Sequence, residues 1–252
     1  MALITCDAFS ETLEVGVSLT VVLPQATEAQ IGVSATGERG APPVLYLLHG
    51  LSDDHTAWLR YTSIERYAAE AGLAVVMPAV GRSFYANEAH GHRYWDYVSE
   101  ELPEIVGSFF HVSQEPEDTF VAGLSMGGYG AMKLALHHPD RFAAAASMSG
   151  ALDLAALFAL GERIELLERV FDGRLGPADD LMGLLDRPAL PRLWVGSGTE
   201  DPIHAGSARF ADAARAAGHD VTVDWRPGGH VWPLWDAMVQ DVIAWMLAPH
   251  TP

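Results

Sequence analysis

The sequence is short of residues that crosslink a protein or bind it to nucleic acid. Cys6 is the only cysteine among the 252 residues, which excludes an intrachain disulfide and a thiolate metal cluster. Basic residues are scarce, with 15 Lys and Arg against 33 Asp and Glu and a formal net charge of −18. Because an acidic surface repels phosphate backbones, we predict no nucleic-acid partner.

Long apolar runs are also missing. No stretch approaches the ~18 apolar residues that a membrane helix needs, and residues 1–16 lack the basic start and apolar run of a secretion signal. We therefore expect a cytoplasmic protein with no membrane partner. Since 49% of the residues are apolar and 19% are charged, the composition is globular, and we expect residues 1–252 to form a single domain.

Short apolar segments alternate with helical patterns along most of the chain. Residues 4–24 carry alternating β-branched residues and predict an opening pair of antiparallel strands. Further strands are predicted at 44–48, 73–77, 119–122, 142–147, 193–195 and 221–225, and helices at 93–110, 127–138, 202–217 and 232–246. This alternation predicts a mostly parallel central sheet with helices on both faces.

Three segments depart from this alternation. Residues 25–43 form a polar, Gly-rich linker, and Pro103 is expected to kink helix 93–110. The Leu-rich segment 151–190 predicts a small helical excursion over the sheet edge that serves as a lid. The apolar stripe expected to bury helix 93–110 consists of Trp95, Val98, Leu102, Ile105 and Phe109.

The segment Gly123-Leu124-Ser125-Met126-Gly127 fits the pattern G-x-S-x-G directly after a predicted strand and before a predicted helix. Between a strand and a helix, a tight turn forces the serine of this pattern into an unfavourable backbone region, and the two glycines of the pattern leave room for the turn. The Ser125 hydroxyl is then presented at a helix N-terminus, where backbone amides favour developing negative charge. The pattern also occurs by chance in Gly/Ser-rich turns, but its position here favours a nucleophile.

A serine hydroxyl needs a general base, and the base needs an orienting acid. His230 lies in a Gly-rich loop after the last predicted strand, at the sheet edge expected for Ser125, and is the predicted base. His219 precedes that strand and belongs to the opposite edge. Asp201 follows the preceding strand and is the predicted acid, with Glu200 as the alternative; a role of Asp201 as a helix cap only stays open.

Acyl transfer also needs hydrogen-bond donors for the oxyanion that forms in the reaction. One predicted donor is the backbone N–H of Met126, next to the nucleophile. The other is expected from loop 49–54, which follows a predicted central strand. Leu51 is the predicted donor there, with Gly50 as the alternative, and His49 is expected to support the loop.

Aromatic residues near these loops are candidates for the substrate pocket. We select Trp58, Tyr85 and Trp232 as predicted substrate-binding residues. His90 and His92 form an H-x-H pair that could bind a metal, but no third ligand is placed beside them. We therefore predict a polar loop at this position and no metal site.

Four segments carry a resemblance to a known family: LYLLHGLSDDHTAW, GRSFYANEAHGHRYWDYVSEELPEIV, VAGLSMGGYGAMKLAL and GTEDPIHAGSARFADAARAAGHDVTVDWRPGGHVWPLWD. They resemble the esterase D family of the α/β-hydrolases, and within it the bacterial tributyrin esterases, over residues 10–247. The resemblance implies a single α/β-hydrolase domain. The site residues it implies are the triad Ser125, Asp201 and His230 and the oxyanion amides of Leu51 and Met126.

The resemblance also implies an activity: hydrolysis of short-chain carboxylic esters of small molecules through an acyl-enzyme, with no cofactor, by a dimer or tetramer. A thioesterase like the S-formylglutathione hydrolases, an acyltransferase and a catalytically silent binding protein are the alternatives. The thioesterases of this branch carry a cysteine in the loop after the His-Gly turn, and this loop has none. The silent binder is disfavoured because competent residues fill all three triad positions in order.

Overall fold

The predicted strands form an eight-stranded sheet in the computed structural model, which describes residues 1–27, 29, 31, 40–161, 163–187 and 189–249. The strands are β1 Ala2–Ser10, β2 Val15–Leu23, β3 Val44–Leu48, β4 Ala74–Pro78, β5 Thr119–Leu124, β6 Ala144–Met148, β7 Arg192–Gly198 and β8 Val221–Arg226. Their order in the sheet is β1-β2-β4-β3-β5-β6-β7-β8. β1 pairs with β2 and β2 pairs with β4, both in antiparallel fashion, and all other pairs are parallel.

The central strands are apolar throughout because both faces of the sheet are covered. All five residues of β3 are buried. Alternate side chains point to opposite faces, so Tyr46 and Leu48 pack into one core while Leu45 and Leu47 pack into the other. The predicted parallel sheet with helices on both faces is confirmed, whereas much of the predicted linker at 25–43 lies outside the described residues.

Helices flank the sheet, among them those predicted at 127–138, 202–217 and 232–246, whereas the two helices after β3 were not predicted. They are α1 Ala57–Tyr61, α2 Ile64–Ala71, α3 Tyr94–Asp96, α4 Leu102–Phe109, α5 Met126–His137, α6 Leu154–Ala159, α7 Ile164–Phe171, α8 His204–Ala216 and α9 Trp232–Leu247. Within the described part of the chain, no helix combines the length and apolar character needed to cross a membrane.

Helix 93–110 is interrupted by a π-helical turn at Tyr97–Glu101, between α3 and α4. Pro103 follows this π turn in the first turn of α4, where its missing N–H costs little, and the kink expected at Pro103 stays a prediction. Val106 is buried, whereas Phe109, the last residue of α4, is 61% exposed at the end of the helix, so its predicted place on the buried stripe is wrong.

The segment 151–190 contains two short helices, α6 and α7, and is docked on neighbouring elements. The carbonyl oxygen of Val170 accepts the N–H of Ala89 at 2.9 Å. The ammonium group of Lys133, buried on α5, lies 2.7 Å from a carboxylate oxygen of Asp179. The predicted helical excursion is present, and its action as a lid stays a prediction.

Candidate active site

Three polar side chains meet at the carboxyl ends of parallel strands. Ser125 follows β5, Asp201 follows β7, and His230 lies between β8 and α9. His230 Nε2 lies 3.0 Å from Ser125 Oγ, and His230 Nδ1 lies 2.8 Å from Asp201 Oδ2. The three residues that the sequence analysis selected are thus joined by two hydrogen bonds.

The turn between β5 and α5 holds Ser125 at φ 54° and ψ −117°, a backbone region that non-glycine residues rarely adopt. The turn is tight enough to exclude side chains two positions before and two positions after the serine. A Cβ at Gly123 would lie 2.3 Å from the Gly127 carbonyl oxygen, and one at Gly127 would lie 2.4 Å from that of Leu48. Residues 123 and 127 must therefore both be glycine for Ser125 to take this position.

The Asp201 side chain is fully buried, yet it is held as a carboxylate. Burial raises the pKa of this carboxyl, but hydrogen bonds from His230 and from the N–H of Ile203 outweigh that effect, so the pKa is lowered overall. A carboxylate can only accept, so Nδ1 of His230 carries a hydrogen. The other ring nitrogen of the neutral imidazole is then free to accept the proton of Ser125.

The two alternatives to these residues lie elsewhere. Glu200, the alternative acid, is exposed, and His230 Nδ1 donates its hydrogen bond to Asp201 instead. The ring of His219 is bonded to the carbonyl oxygen of Leu185 at 2.8 Å, away from Ser125.

The two segments that carry the predicted oxyanion donors lie beside Ser125. Met126 is the first residue of α5, so its N–H has no acceptor within the helix. Loop 49–54 passes close to the serine, because a Cβ built at Gly50 would lie 3.8 Å from Ser125 Cβ. A helix N-terminus and a neighbouring loop thus meet at one hydroxyl, where donors can stabilise a negatively charged oxygen.

The His49 ring supports this loop, as the sequence predicted. Nε2 of the ring accepts the N–H of Val80 at 3.1 Å, so Nδ1 carries the hydrogen and donates to the Gly50 carbonyl oxygen at 2.7 Å. Burial lowers the pKa of His49, which favours this neutral form. The backbone N–H of Asp53 donates a second hydrogen bond to the same carbonyl oxygen. Since the peptide between Gly50 and Leu51 is trans, the N–H of Leu51 points away from the direction of the Gly50 carbonyl.

The predicted substrate-binding aromatics differ in their exposure. Trp58 is 1% exposed and its indole N–H donates to the Leu48 carbonyl oxygen; Tyr85 is 0% exposed. Both pack in the interior, which corrects the expectation that they line the pocket surface. Trp232 is partly exposed and meets the Trp58 ring edge-on at 5.3 Å, so it is the one of the three within reach of a ligand.

Sequence reasoning missed a contact on the base. The ring of Trp235 lies edge-on against the imidazole of His230, with 4.8 Å between centroids. Trp235 is one turn into α9, five positions after His230, and this spacing was the signal available in the sequence. Trp232 packs in turn on Trp235 at 5.3 Å, so aromatic rings close off one side of the histidine.

The histidine pair at 90 and 92 is not part of this site. His90 is bonded to Asp172 at 3.0 Å, and both side chains are exposed. Among the residues that the structure describes, no group of three or more His, Cys, Asp or Glu side chains is placed to hold a metal ion.

The sheet order, its antiparallel start and the strained serine after β5 define an α/β-hydrolase. The sequence profile of an esterase family, described as "Putative esterase", matches residues 10–246. The chain belongs to this esterase family and is a carboxylic ester hydrolase.

Known proteins similar to this chain include serine hydrolases, esterases and mycolyltransferases. The fluorophosphonate-binding serine hydrolase FphF of Staphylococcus aureus is 36% identical with a TM-score of 0.87, and the match covers 98% of this chain and 99% of that one. The S-formylglutathione hydrolase FrmB of the same organism is 35% identical with a TM-score of 0.85 and the same coverage. An acetyl esterase of Caldicellulosiruptor saccharolyticus is 25% identical over 263 residues, covering 98% of both chains.

Proposed function

We propose that this protein is a serine esterase that hydrolyses short-chain acyl esters in two steps, with Ser125 as nucleophile, His230 as general base and Asp201 as orienting acid. The observation that carries the proposal is the pair of hydrogen bonds, 3.0 Å and 2.8 Å long, that joins the three side chains. The strained backbone of Ser125 supports it, since strain of this kind clusters at functional sites.

In the first step, Ser125 Oγ attacks the acyl carbonyl carbon while its proton passes to His230 Nε2. The carbonyl oxygen becomes an oxyanion, which the N–H groups of Met126 and Leu51 stabilise. The intermediate then collapses: the bond to the leaving alcohol breaks, and His230 returns its proton to the alkoxide oxygen. Ser125 is left as an acyl ester.

In the second step, water takes the place of the alcohol. His230 accepts a proton from the water as it attacks the acyl carbon, and the same N–H groups stabilise the second oxyanion. Collapse releases the carboxylic acid and returns the proton to Ser125 Oγ. Asp201 remains ionised throughout and stabilises the imidazolium that forms twice in each cycle.

Two observations support a short acyl group. Trp235 packs edge-on against His230, and Trp232 packs on Trp235, so bulky rings limit the room beside the base. The acetyl esterase named above is similar to this chain over nearly its whole length.

A second candidate is thioester hydrolysis by the same mechanism. It is favoured by the 35% identity to the S-formylglutathione hydrolase, which spans 98% of the chain. The loop after β3 has no cysteine and the net charge of −18 disfavours anionic glutathione conjugates, so we place ester hydrolysis first. Acyl transfer to an alcohol is a further alternative on the same acyl-enzyme. Matched oxygen and sulfur esters, with and without added alcohol, separate the three activities.

The test is a rate series on p-nitrophenyl esters from acetate to laurate, run for the wild type, Ser125→Ala and Ser108→Ala. We expect the highest kcat/KM at two to four acyl carbons, and a loss of roughly 10⁴-fold or more in Ser125→Ala. Ser108 is exposed on α4, and its variant serves as the control with wild-type rates. Wild-type activity in Ser125→Ala would refute the mechanism, and no labelling of Ser125 by an organophosphonate would favour a silent binder.

Four further features remain proposals with their own tests. Cell fractionation tests the cytoplasmic location, and light scattering after size exclusion tests the dimer or tetramer.

A single cooperative unfolding transition is expected if residues 1–252 form one domain. Deleting the excursion 151–190 tests its role as a lid.

A further inference from the structure

Tyr85 is a buried polar residue on a strained stretch of backbone. Both Phe84 and Tyr85 have positive φ angles, 52° and 51°, although neither is glycine. Two such residues in succession are uncommon and persist only where the surrounding structure holds them in place. The strain directs attention to what Tyr85 contacts.

Several contacts hold the residue. Its N–H donates to the hydroxyl of Ser83 at 3.1 Å, and its carbonyl oxygen accepts from the ammonium of Lys133 at 3.3 Å. The ring lies directly on Gly130 of α5, where a Cβ would come within 2.5 Å of it. The ring therefore has one position, set by the helix that begins next to Ser125.

The hydroxyl of this ring reaches the loop after β3. It donates a hydrogen bond to the carbonyl oxygen of His49 at 3.1 Å. Burial raises the pKa of Tyr85 well above its usual value, so the hydroxyl stays protonated and remains a donor over the range of an enzyme assay. Gly127 lies against the same oxygen from the side of α5, since a Cβ there would lie 2.7 Å away.

The His49 carbonyl belongs to the first peptide of the loop. Because the peptide is trans, a fixed carbonyl also fixes the N–H of Gly50, which points the opposite way. The following peptide, which carries the N–H of Leu51, is held at its carbonyl by the His49 ring. The hydroxyl of Tyr85 thus anchors the start of the loop on which the second oxyanion donor lies.

We propose that Tyr85 is a positioning residue that holds the His49 carbonyl, and through it the oxyanion-binding loop, in the geometry that receives the tetrahedral intermediate. The proposal rests on the serine esterase mechanism given above. It assigns to Tyr85 a role without substrate contact, since the side chain is 0% exposed.

The test is Tyr85→Phe, which keeps the ring and removes only the hydroxyl. We expect kcat/KM for p-nitrophenyl acetate to fall about 10-fold to 100-fold, less than the 10²- to 10³-fold cost of deleting an oxyanion donor outright. The affinity for a short alkyl boronic acid, which forms a tetrahedral adduct on the serine, should fall by the same factor. KM should change less than about 2-fold, because the effect arises in the transition state.

Tyr129→Phe is the matched control. Its hydroxyl also donates to a backbone carbonyl, that of Asp179, at 2.9 Å, and its side chain is also buried, but it anchors the excursion instead of the loop. We expect a similar drop in thermal midpoint for both variants and a loss of kcat only for Tyr85→Phe. Equal losses in both would show that Tyr85 is merely structural.

Other outcomes overturn the proposal as clearly. Wild-type kcat and boronate affinity in folded Tyr85→Phe would refute it. A rise in KM that depends on acyl length would also refute it, because it would indicate that Tyr85 contacts the substrate. If Tyr85→Phe does not fold, Ser83→Ala provides the second variant, with the same paired fall of kcat and boronate affinity expected on a smaller scale. Failure of an organophosphonate to label the wild type would refute the esterase mechanism itself, and this proposal with it.

Discussion

At the level of single residues, the site depends on a carboxylate that is buried and still ionised. Asp201 can only accept a hydrogen bond from His230 Nδ1, whereas an asparagine could donate its amide N–H₂ to that nitrogen. Asp201→Asn therefore favours the imidazole tautomer with hydrogen on Nε2, which cannot take the Ser125 proton. We expect kcat on p-nitrophenyl acetate to fall about 10⁴-fold. Glu200→Gln, at the exposed neighbour, is the control and should keep the wild-type rate.

The same carboxylate predicts a pH dependence of stability. The pKa of Asp201 is lowered on folding, so its contribution is fully present above the unfolded pKa of about 3.9 and is lost as the pH falls through the lower folded value. The gap in urea midpoint between the wild type and Asp201→Asn should not close between neutral pH and about pH 4, and should narrow only below about pH 4. A gap that closes near neutral pH would contradict the lowered pKa.

A glycine next to the serine gives a test of the turn. Alanine at an interior helix position normally stabilises a protein by about 1 kcal/mol relative to glycine. At Gly127 the added Cβ would lie 2.4 Å from the backbone oxygen of Leu48, which cannot yield without moving β3. We expect Gly127→Ala to lower the free energy of unfolding by about 1–3 kcal/mol, measured by urea denaturation.

The control for that variant is Gly16→Ala on β2. A Cβ at Gly16 would meet its nearest neighbour, the Ala8 carbonyl oxygen, only at 4.0 Å. We expect its stability to equal or exceed that of the wild type. Equal effects of the two substitutions would show that the close approach at Gly127 is not what requires glycine.

At the level of elements, the π turn directs a carboxylate to the edge of the sheet. Glu101, its last residue, accepts hydrogen bonds from the Ser10 hydroxyl at 2.5 Å and from the N–H groups of Glu11 and Thr12 at 2.7 and 3.3 Å. Burial raises the pKa of Glu101, but these hydrogen bonds outweigh it and the pKa is lowered. The side chain thereby ties the turn between β1 and β2 to the helix.

This contact predicts a local loss of stability in Glu101→Gln. The amide loses the charge and one acceptor, so we expect a cost of about 1 kcal/mol in urea denaturation after allowance for partial exposure. Hydrogen exchange of the β1 amides should quicken more than that of β5. Glu104→Gln, at an exposed position in the first turn of α4, is the control, and an equal cost there would refute the role of Glu101 in holding the β1–β2 turn.

At the level of the whole molecule, the net charge of −18 acts on every approaching substrate. The Debye length falls from about 30 Å at 0.01 M salt to about 8 Å at 0.15 M, so added salt screens the repulsion of anions. For an ester whose acyl group carries a carboxylate, we expect kcat/KM to rise several-fold over this range. An uncharged ester of the same size is the control, and an equal salt response of both would contradict electrostatic exclusion.

The local pattern of the chain was sufficient for the sheet and for the position of the serine. β3 coincides with the predicted 44–48 because a strand buried on both faces is apolar at every position. The G-x-S-x-G turn was predictable because its requirements, a strand before, a helix after and glycines on both sides, are all local. The π turn at Tyr97–Glu101 was not predicted, because the kink was expected at Pro103.

By itself, then, the amino-acid sequence determined the strand and helix order, the α/β class and the strained turn at Ser125, since each depends on neighbours within a few positions. Tertiary structure decided what depends on the direction of side chains from distant segments. It turned Asp201 and not Glu200 toward His230, left Phe109 exposed at the end of α4, and enclosed Tyr85 against α5. Periodicity records which residues are apolar, but only packing decides which atoms meet.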